Sequence, residues 1–213
     1  MATSGHTIEK ARALQLVRAF DVAGATRVSV EGLHTVAYLA DALSPVWGAS
    51  LEASALIKRS GVPFLARLQN VLDELVVEGL LGVSDFSYVQ LPEVGWRIRA
   101  RYSIIRARSR SVFEVLDLFE DEVKIAELYL ELALALGTDE ELSELIGGDA
   151  VYSDSRVSAG RLLELSPAVG ENVSANVANY FSEVMPDKRP ATAGEKINLY
   201  VRLLQQRAAS RER

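Results

Sequence analysis

Apolar residues recur at helical spacing along most of this chain, with one stretch in the middle where the period changes to two. Ile8, Ala11, Leu14, Leu16, Val17 and Phe20 lie broadly on one helical face, and Gly24 ends that segment. Val28 and Val30 fit a short strand or an extended approach to the next helix. Leu33, Val36, Ala37, Ala40 and Leu43 return to helical spacing, with Pro45 expected to close the helix. Residues 51–59 read as a short helix buried through Ala53, Leu56 and Ile57. The run Ser60, Gly61, Val62, Pro63 then reads as a helix start, because proline lacks only an N–H that would be unpaired in a first turn. Phe64, Leu65, Leu68, Val71, Leu72, Leu75 and Val76 follow with a 3.6-residue period, and Gly79 suits the C-terminal stop.

Beyond Gly79 the alternation is that of a strand. Phe86 and Tyr88 lead to a turn at Leu91, Pro92, Glu93, Val94 and Gly95. Trp96, Ile98, Ala100, Tyr102 and Ile104 then alternate with Arg97, Arg99, Arg101 and Ser103, so one face is apolar and the other cationic. A two-stranded hairpin is marginal alone, and its apolar face is expected to pack on the preceding helices.

The remainder reads as helical. Val112, Leu116, Phe119, Val123, Ala126 and Leu130 mark one stripe of a long helix ending near Gly137, apolar all round from Leu128 to Leu136. Thr138 and Glu141 have capping-box spacing for a short helix to Ile146, closed by Gly147 and Gly148. Residues 149–170 are loop-rich, anchored by Leu162, Leu163 and Leu165. Val173, Val177, Tyr180, Phe181 and Val184 share another face up to Pro186, and Ile197, Tyr200, Val201 and Leu204 share the last, before a frayed tail over 207–213. The expected fold is mainly α. Residues 1–108 form a winged-helix-like module with a small β-hairpin as its wing, and residues 109–213 form a helical region packed on it.

Composition narrows the classes. With 213 residues, 49% of them hydrophobic, the chain can bury a substantial core. It contains no cysteine, so disulfides and thiolate chemistry are excluded. The N-terminus carries His6, Glu9, Lys10 and Arg12 where a signal peptide would be apolar. No apolar run approaches the roughly 18 residues of a membrane span. A soluble, cytoplasmic protein without membrane contact is expected.

Charge changes the picture more. The net charge of −6 argues against bulk affinity for nucleic acid. Yet Arg97, Arg99, Arg101, Arg106, Arg108 and Arg110 fall in one window without an acid, and residues 114–144 are strongly acidic with Lys124 as their only base. Strand alternation spaces Arg97, Arg99 and Arg101 roughly 6–7 Å apart on one face. That row suits phosphates or partner carboxylates, and the six arginines are the candidate contacts to a DNA backbone or an acidic partner. The plainer reading is an edge strand guarded by charge. The acids of 114–144 are in turn either the wet side of a helix or a face for a basic partner. In the third helix, Arg67, Gln69 and Asn70 are accompanied by Asp73, Glu74 and Glu78, which phosphates would repel. Major-groove reading is therefore not expected there.

Catalytic chemistry finds little material. The only histidines are His6 and His34, and His34 reads as a surface or interface residue. No phosphate-binding glycine loop and no nucleophile elbow is present. Asp149 and Asp154 are the nearest approach to a carboxylate metal site, and Gly-Gly-Asp is more simply a turn. No catalytic residue, cofactor or metal is expected.

Three runs carry a family resemblance: Tyr38-Leu-Ala-Asp-Ala-Leu-Ser-Pro-Val-Trp-Gly, Gly61-Val-Pro-Phe, and Leu68-Gln-Asn-Val-Leu-Asp-Glu-Leu-Val-Val-Glu-Gly-Leu-Leu. Over about residues 8 to 90 the chain resembles the middle components of bacterial ABC three-component systems, including the small subunit of Lamassu-type anti-phage defence complexes. The Gly148-Asp-Ala-Val-Tyr run and the last helix are compatible with it. The resemblance implies a kleisin-associated winged-helix subunit, seated on an SMC-like ATPase and helping to control an effector such as a nuclease. DNA would be met through the assembled complex, and there is no catalytic motif to carry over. The same Tyr-Leu-Ala-Asp and Gly-x-Pro pattern is also similar to the Panacea antitoxin domain. That similarity implies instead an antitoxin or DNA-binding regulator of a toxin–antitoxin module.

Overall fold

The computed structural model describes residues 2–49, 51, 56–58, 62–91, 95–137, 142–163, 172–184 and 190–211. Among these the chain is mainly helical. In order the elements are α1 (Ala2–Val22), β1 (Val28–Ser29), α2 (Val30–Trp47), β2 (Leu56–Ile57), α3 (Ala66–Val77), β3 (Leu81–Leu91), β4 (Gly95–Ile104), α4 (Arg106–Leu116), α5 (Glu120–Leu136), α6 (Leu142–Gly147), β5 (Leu162–Leu163), α7 (Val173–Val184) and α8 (Ala193–Arg211). None of the described helices is long and apolar enough to cross a membrane.

Helix α2 is the axis of the core. Leu33, Val36, Tyr38, Leu39, Ala40 and Leu43 are all fully buried, so it is surrounded rather than merely packed on one side. Ser29 caps its start by accepting from the Gly32 N–H at 2.9 Å. Its end lies beyond the expected stop, because Pro45 sits inside the helix and the chain turns only at Gly48, with φ of 73°. Proline leaves the Asp41 carbonyl without its helical N–H. The Ser44 hydroxyl donates to that carbonyl at 3.1 Å, which lets the last turn continue.

Two further boundaries differ from the periodicity. The short helix expected over 51–59 is displaced at Leu56–Ile57 by β2, which pairs antiparallel with β5 through Leu56–Leu163 and Ile57–Leu162. Ala53 and Arg59 lie outside the described residues. A partner distant in sequence outweighs local spacing here. The helix start expected at Ser60–Pro63 also moves: α3 begins at Ala66, residues 59–61 lie outside the described residues, and Phe64 is extended and bridges to Ile57. The long helix expected from Val112 to Gly137 is two helices, α4 and α5, broken at Asp117–Phe119. Phe119 is extended (φ −107°, ψ 114°), and Glu120, Asp121 and Glu122 fill the first turn of α5, where the helix dipole favours acids.

The hairpin forms as expected, and its turn residues 92–94 lie outside the described residues. The sheet order is β1-β4-β3, all antiparallel. Tyr102 opposes Val28 and Val83, and Arg101 opposes Ser29 and Ser84. Ala100, Tyr102, Val28 and Leu81 are buried, so the apolar side of the sheet does pack on the helices. An irregularity between Ser84 and Ser87, with Asp85 at φ of 53°, bends β3 outward and leaves Phe86 and Tyr88 exposed.

The boundary expected near residue 108 falls in α4, just after the sheet, and one hydrophobic core continues across it from Leu14 and Leu39 to Leu128, Ile146, Tyr200 and Leu204. The capping pair Thr138 and Glu141, together with Leu165 and Pro186, lies outside the described residues. Helix α8 is capped reciprocally by Thr192 and Glu195. Its end is not the frayed tail expected from Arg207: the helix runs to Arg211, and the Arg207 guanidinium donates to the Gly148 carbonyl at 3.1 Å.

Candidate functional site

Backbone alternation on β4 sends Arg99 and Arg101 to the outer face of the sheet, opposite the buried Ala100 and Tyr102. Their cross-strand neighbours are small and polar: Ser87 faces Arg99, and Ser84 and Ser29 flank Arg101. Arg99 lies 3.7 Å from Glu31. The side chain of Arg97 is outside the described residues.

The other three arginines leave this row, because the chain turns into α4 at Ile105. Arg106 donates twice to Asp21, at 3.1 and 2.9 Å, and that carboxylate raises the guanidinium pKa further. Arg110 pairs with Glu114 one turn on, at 2.9 Å. Arg108 extends its flexible guanidinium over Gly79, where it could move aside for a side chain; it is the φ of 72° at that position that favours glycine. The contiguous window in sequence thus becomes a pair of outward arginines on a sheet and three exposed helix arginines, two of them, Arg106 and Arg110, paired with acids.

The outer side of α3 is engaged as well. Lys10 holds Glu74 at 2.7 Å and Glu78 at 2.6 Å, His6 meets Glu74 at 2.8 Å, and Glu9 takes Arg67 at 2.5 Å. These pairs raise the Lys10 pKa and lower that of Glu74. The first turns of α1 therefore lie along the polar side of α3.

Asp149 is the most elaborately held group among the described residues. Its carboxylate is fully buried and accepts five hydrogen bonds. Oδ1 takes the Tyr38 hydroxyl at 2.6 Å and the N–H groups of Val151 and Tyr152 at 2.9 and 2.8 Å. Oδ2 takes the Ser174 and Tyr200 hydroxyls at 2.8 and 2.5 Å. Burial, reinforced by Asp149, pushes both tyrosine pKa values up. Asp154 faces elsewhere: Arg156 holds it through side chain and backbone and lowers its pKa to about 2. The two aspartates are engaged with different partners, and among the described residues no three His, Cys, Asp or Glu side chains gather where a metal could bind.

His34 is not at the surface as its position suggested. It is 2% exposed, its Nδ1 accepts from the Leu65 N–H at 3.2 Å, and its Nε2 lies 3.4 Å from the Gln69 carbonyl oxygen. Gln69 in turn donates to Tyr102 and Asp73. The imidazole thus ties α2 to the start of α3 and on to the sheet.

Two surfaces escaped the sequence. At the corner between α4 and α5, Val115, Leu118 and Phe119 are bare, Leu118 to 80%. The long stripe read through this region placed Phe119 in the core; the helix break turns it out. On α7 the buried side is Ser174, Ala175 and Ala178, while Val173, Tyr180 and Val184 of the expected apolar face are exposed. Small residues facing a close helix carry too weak a hydrophobic signal to compete with larger ones on the other side.

No family model matches the chain, and neither a curated protein nor a solved structure matches it.

Proposed function

We propose that this chain is a non-catalytic accessory subunit of an SMC-like ATPase complex in bacterial anti-phage defence. It works in the cytoplasm as a scaffold that holds the ATPase and helps to control an effector such as a nuclease. The observation that carries the scaffolding role is the bare apolar corner of Val115, Leu118 and Phe119, three large apolar side chains left exposed within five residues.

The winged-helix reading of the N-terminal module is supported by the order α1-β1-α2-α3-β3-β4 and by a sheet in which β1 lies beside β4. In such a module α3 would be the helix that enters a DNA groove. Its outer face is already engaged by His6, Glu9 and Lys10 of α1 and carries acids that phosphates would repel, which argues against groove entry. Arg99 and Arg101 retain a role against a DNA backbone passing the ATPase, since phosphate contacts need cations but no base reading.

The ATPase partner rests on the resemblance of residues 38–48 and 68–81. Many of those residues, including Tyr38, Leu39, Leu43, Leu72, Leu75 and Leu81, are buried, so the resemblance speaks first for a shared core. Purification of the tagged chain from its native locus tests the proposal. A large ATPase encoded nearby is expected to co-elute. Recovery of a small toxin without any ATPase would replace this reading with that of an antitoxin.

A further inference from the structure

The bare corner between α4 and α5 has a definite shape. The Leu118 N–H donates to the Val115 carbonyl at 3.2 Å, and the Phe119 N–H donates to that of Leu116 at 3.0 Å. Bonds between residues three apart set their side chains over one another, so Val115 and Leu118 stand out on the same side while Leu116 is buried. Farther along α5, Leu134 is a further exposed apolar side chain. Glu120, Glu127 and Leu134 recur every seven residues, share one face of the helix and are all exposed. From Phe119 to Leu134 that face runs about 22 Å, at about 1.5 Å per residue.

Between its two apolar ends the face carries an excess of acid. Lys124 is the only base on α5. Glu120 holds it at 2.8 Å, and Asp121 and Glu127 lie close enough to raise its pKa as well. Three carboxylates thus stand against one ammonium. Glu114 and Asp117, beside the corner, are matched by Arg110 and Arg18 and add nothing to the excess. Exposed ion pairs contribute little, so cations from a partner can engage Glu120 or Asp121 at small cost.

We infer that this face of α5 seats a basic amphipathic helix from a partner protein, with its apolar side chains on the corner and on Leu134 and its lysines or arginines on the acids between. A helix suits a straight face of this length, because its apolar stripe recurs every three or four residues while its flanks carry charge. The inference rests on the docking role proposed above and names the chemistry of what docks.

Fluorescence anisotropy on the full chain tests this with a labelled leucine–lysine peptide of about 15 residues, patterned as an amphipathic helix, beside its leucine–glutamate counterpart. The lysine peptide is expected to bind more tightly than the glutamate peptide by about tenfold or more, and to weaken as salt is raised. Leu118→Ser with Phe119→Ser alters no charge and is expected to weaken the lysine peptide about tenfold. Tyr180→Ser, at an exposed ring on α7, should leave it unchanged. No binding of the lysine peptide at submillimolar concentration, equal binding of the two peptides, or unchanged affinity in the Leu118→Ser, Phe119→Ser variant each overturns the inference. So does self-association of the unaltered chain, seen by sedimentation, that this variant abolishes, because it gives the face to a second copy. Failure of the peptide test while the ATPase still co-elutes from the native locus rejects the basic helix alone. Lysine-peptide binding lost in the corner variant, with no ATPase recovered, upholds the inference and rejects the ATPase. The comparison of the two peptides on the unaltered chain needs no variant to fold.

Discussion

The hydroxyl of Tyr38, on the central helix α2, donates at 2.6 Å to the carboxylate of Asp149, which lies in the turn after α6. Through Asp149 that hydroxyl is joined to Ser174 on α7 and Tyr200 on α8, so one buried acid links four segments of the chain. Every lone pair it presents is met, which is the condition for a buried charge to be tolerated.

Asp149→Ala is therefore expected to be severe. It leaves three hydroxyls and two N–H groups without their acceptor in the core, at a cost of about 3–5 kcal/mol. Tyr38→Phe removes one donor and is expected to cost about 1.5–3 kcal/mol. Urea unfolding of the two variants checks both values and their order.

Alkaline pH should act through the same tyrosines. Tyr38, Tyr129 and Tyr200 have raised pKa values when folded, chiefly from burial. The folded state then holds its protons above pH 10 while the unfolded state releases them. Their contribution is fully present below pH 10 and falls as pH rises, by about 1.4 kcal/mol per pH unit for each tyrosine. Unfolding free energies measured from pH 9 to 11.5 should show this slope, reduced by one tyrosine's share in Tyr38→Phe.

Pro45 and Ser44 should prove coupled. Ser44→Ala is expected to cost about 1–2 kcal/mol, because the buried hydroxyl serves the carbonyl that proline leaves unpaired. In a Pro45→Ala background the helix regains its N–H, and the same change should cost less than about 0.5 kcal/mol. A double-mutant cycle by chemical denaturation measures the difference.

The arginines of β4 predict a separable DNA role. Replacing Arg97, Arg99 and Arg101 with glutamate should abolish DNA retention by the assembled complex and leave its assembly intact. Arg106→Gln loses its ion pair with Asp21 without setting a like charge against it and should change stability by less than about 1 kcal/mol. Retention assays at two salt concentrations check the first, and thermal melts the second.

Much of the fold was legible because spacing and burial agree in α1, α2, α3, β4 and α8. Leu14 and Phe20, Leu33 and Leu43, Leu72 and Leu75, Tyr200 and Leu204 are all in the core their period implied. The misreadings arise where a distant partner decides. Leu56 and Ile57 suit either structure and become strand only because Leu162 and Leu163 lie opposite. Pro45 signals a stop, but the neighbouring hydroxyl supplies the missing hydrogen bond. The α4–α5 stripe is unbroken in sequence, and the three acids after Phe119 were the local sign of a second helix start. Of the site, the alternation of Arg99 and Arg101 could be read directly. The ion pairs from α1 to α3 and the partners of Asp149 could not, since they join residues far apart in the chain.

The most direct test of the scaffolding role uses the bare corner itself. Leu118→Asp with Phe119→Ser alters only exposed side chains and should change stability by about 0.5 kcal/mol or less. Co-purification of this variant and the unaltered chain from the native locus should recover the large ATPase with the unaltered chain and lose it with the variant. An ATPase that co-elutes equally with both, or that is absent from both, contradicts the account.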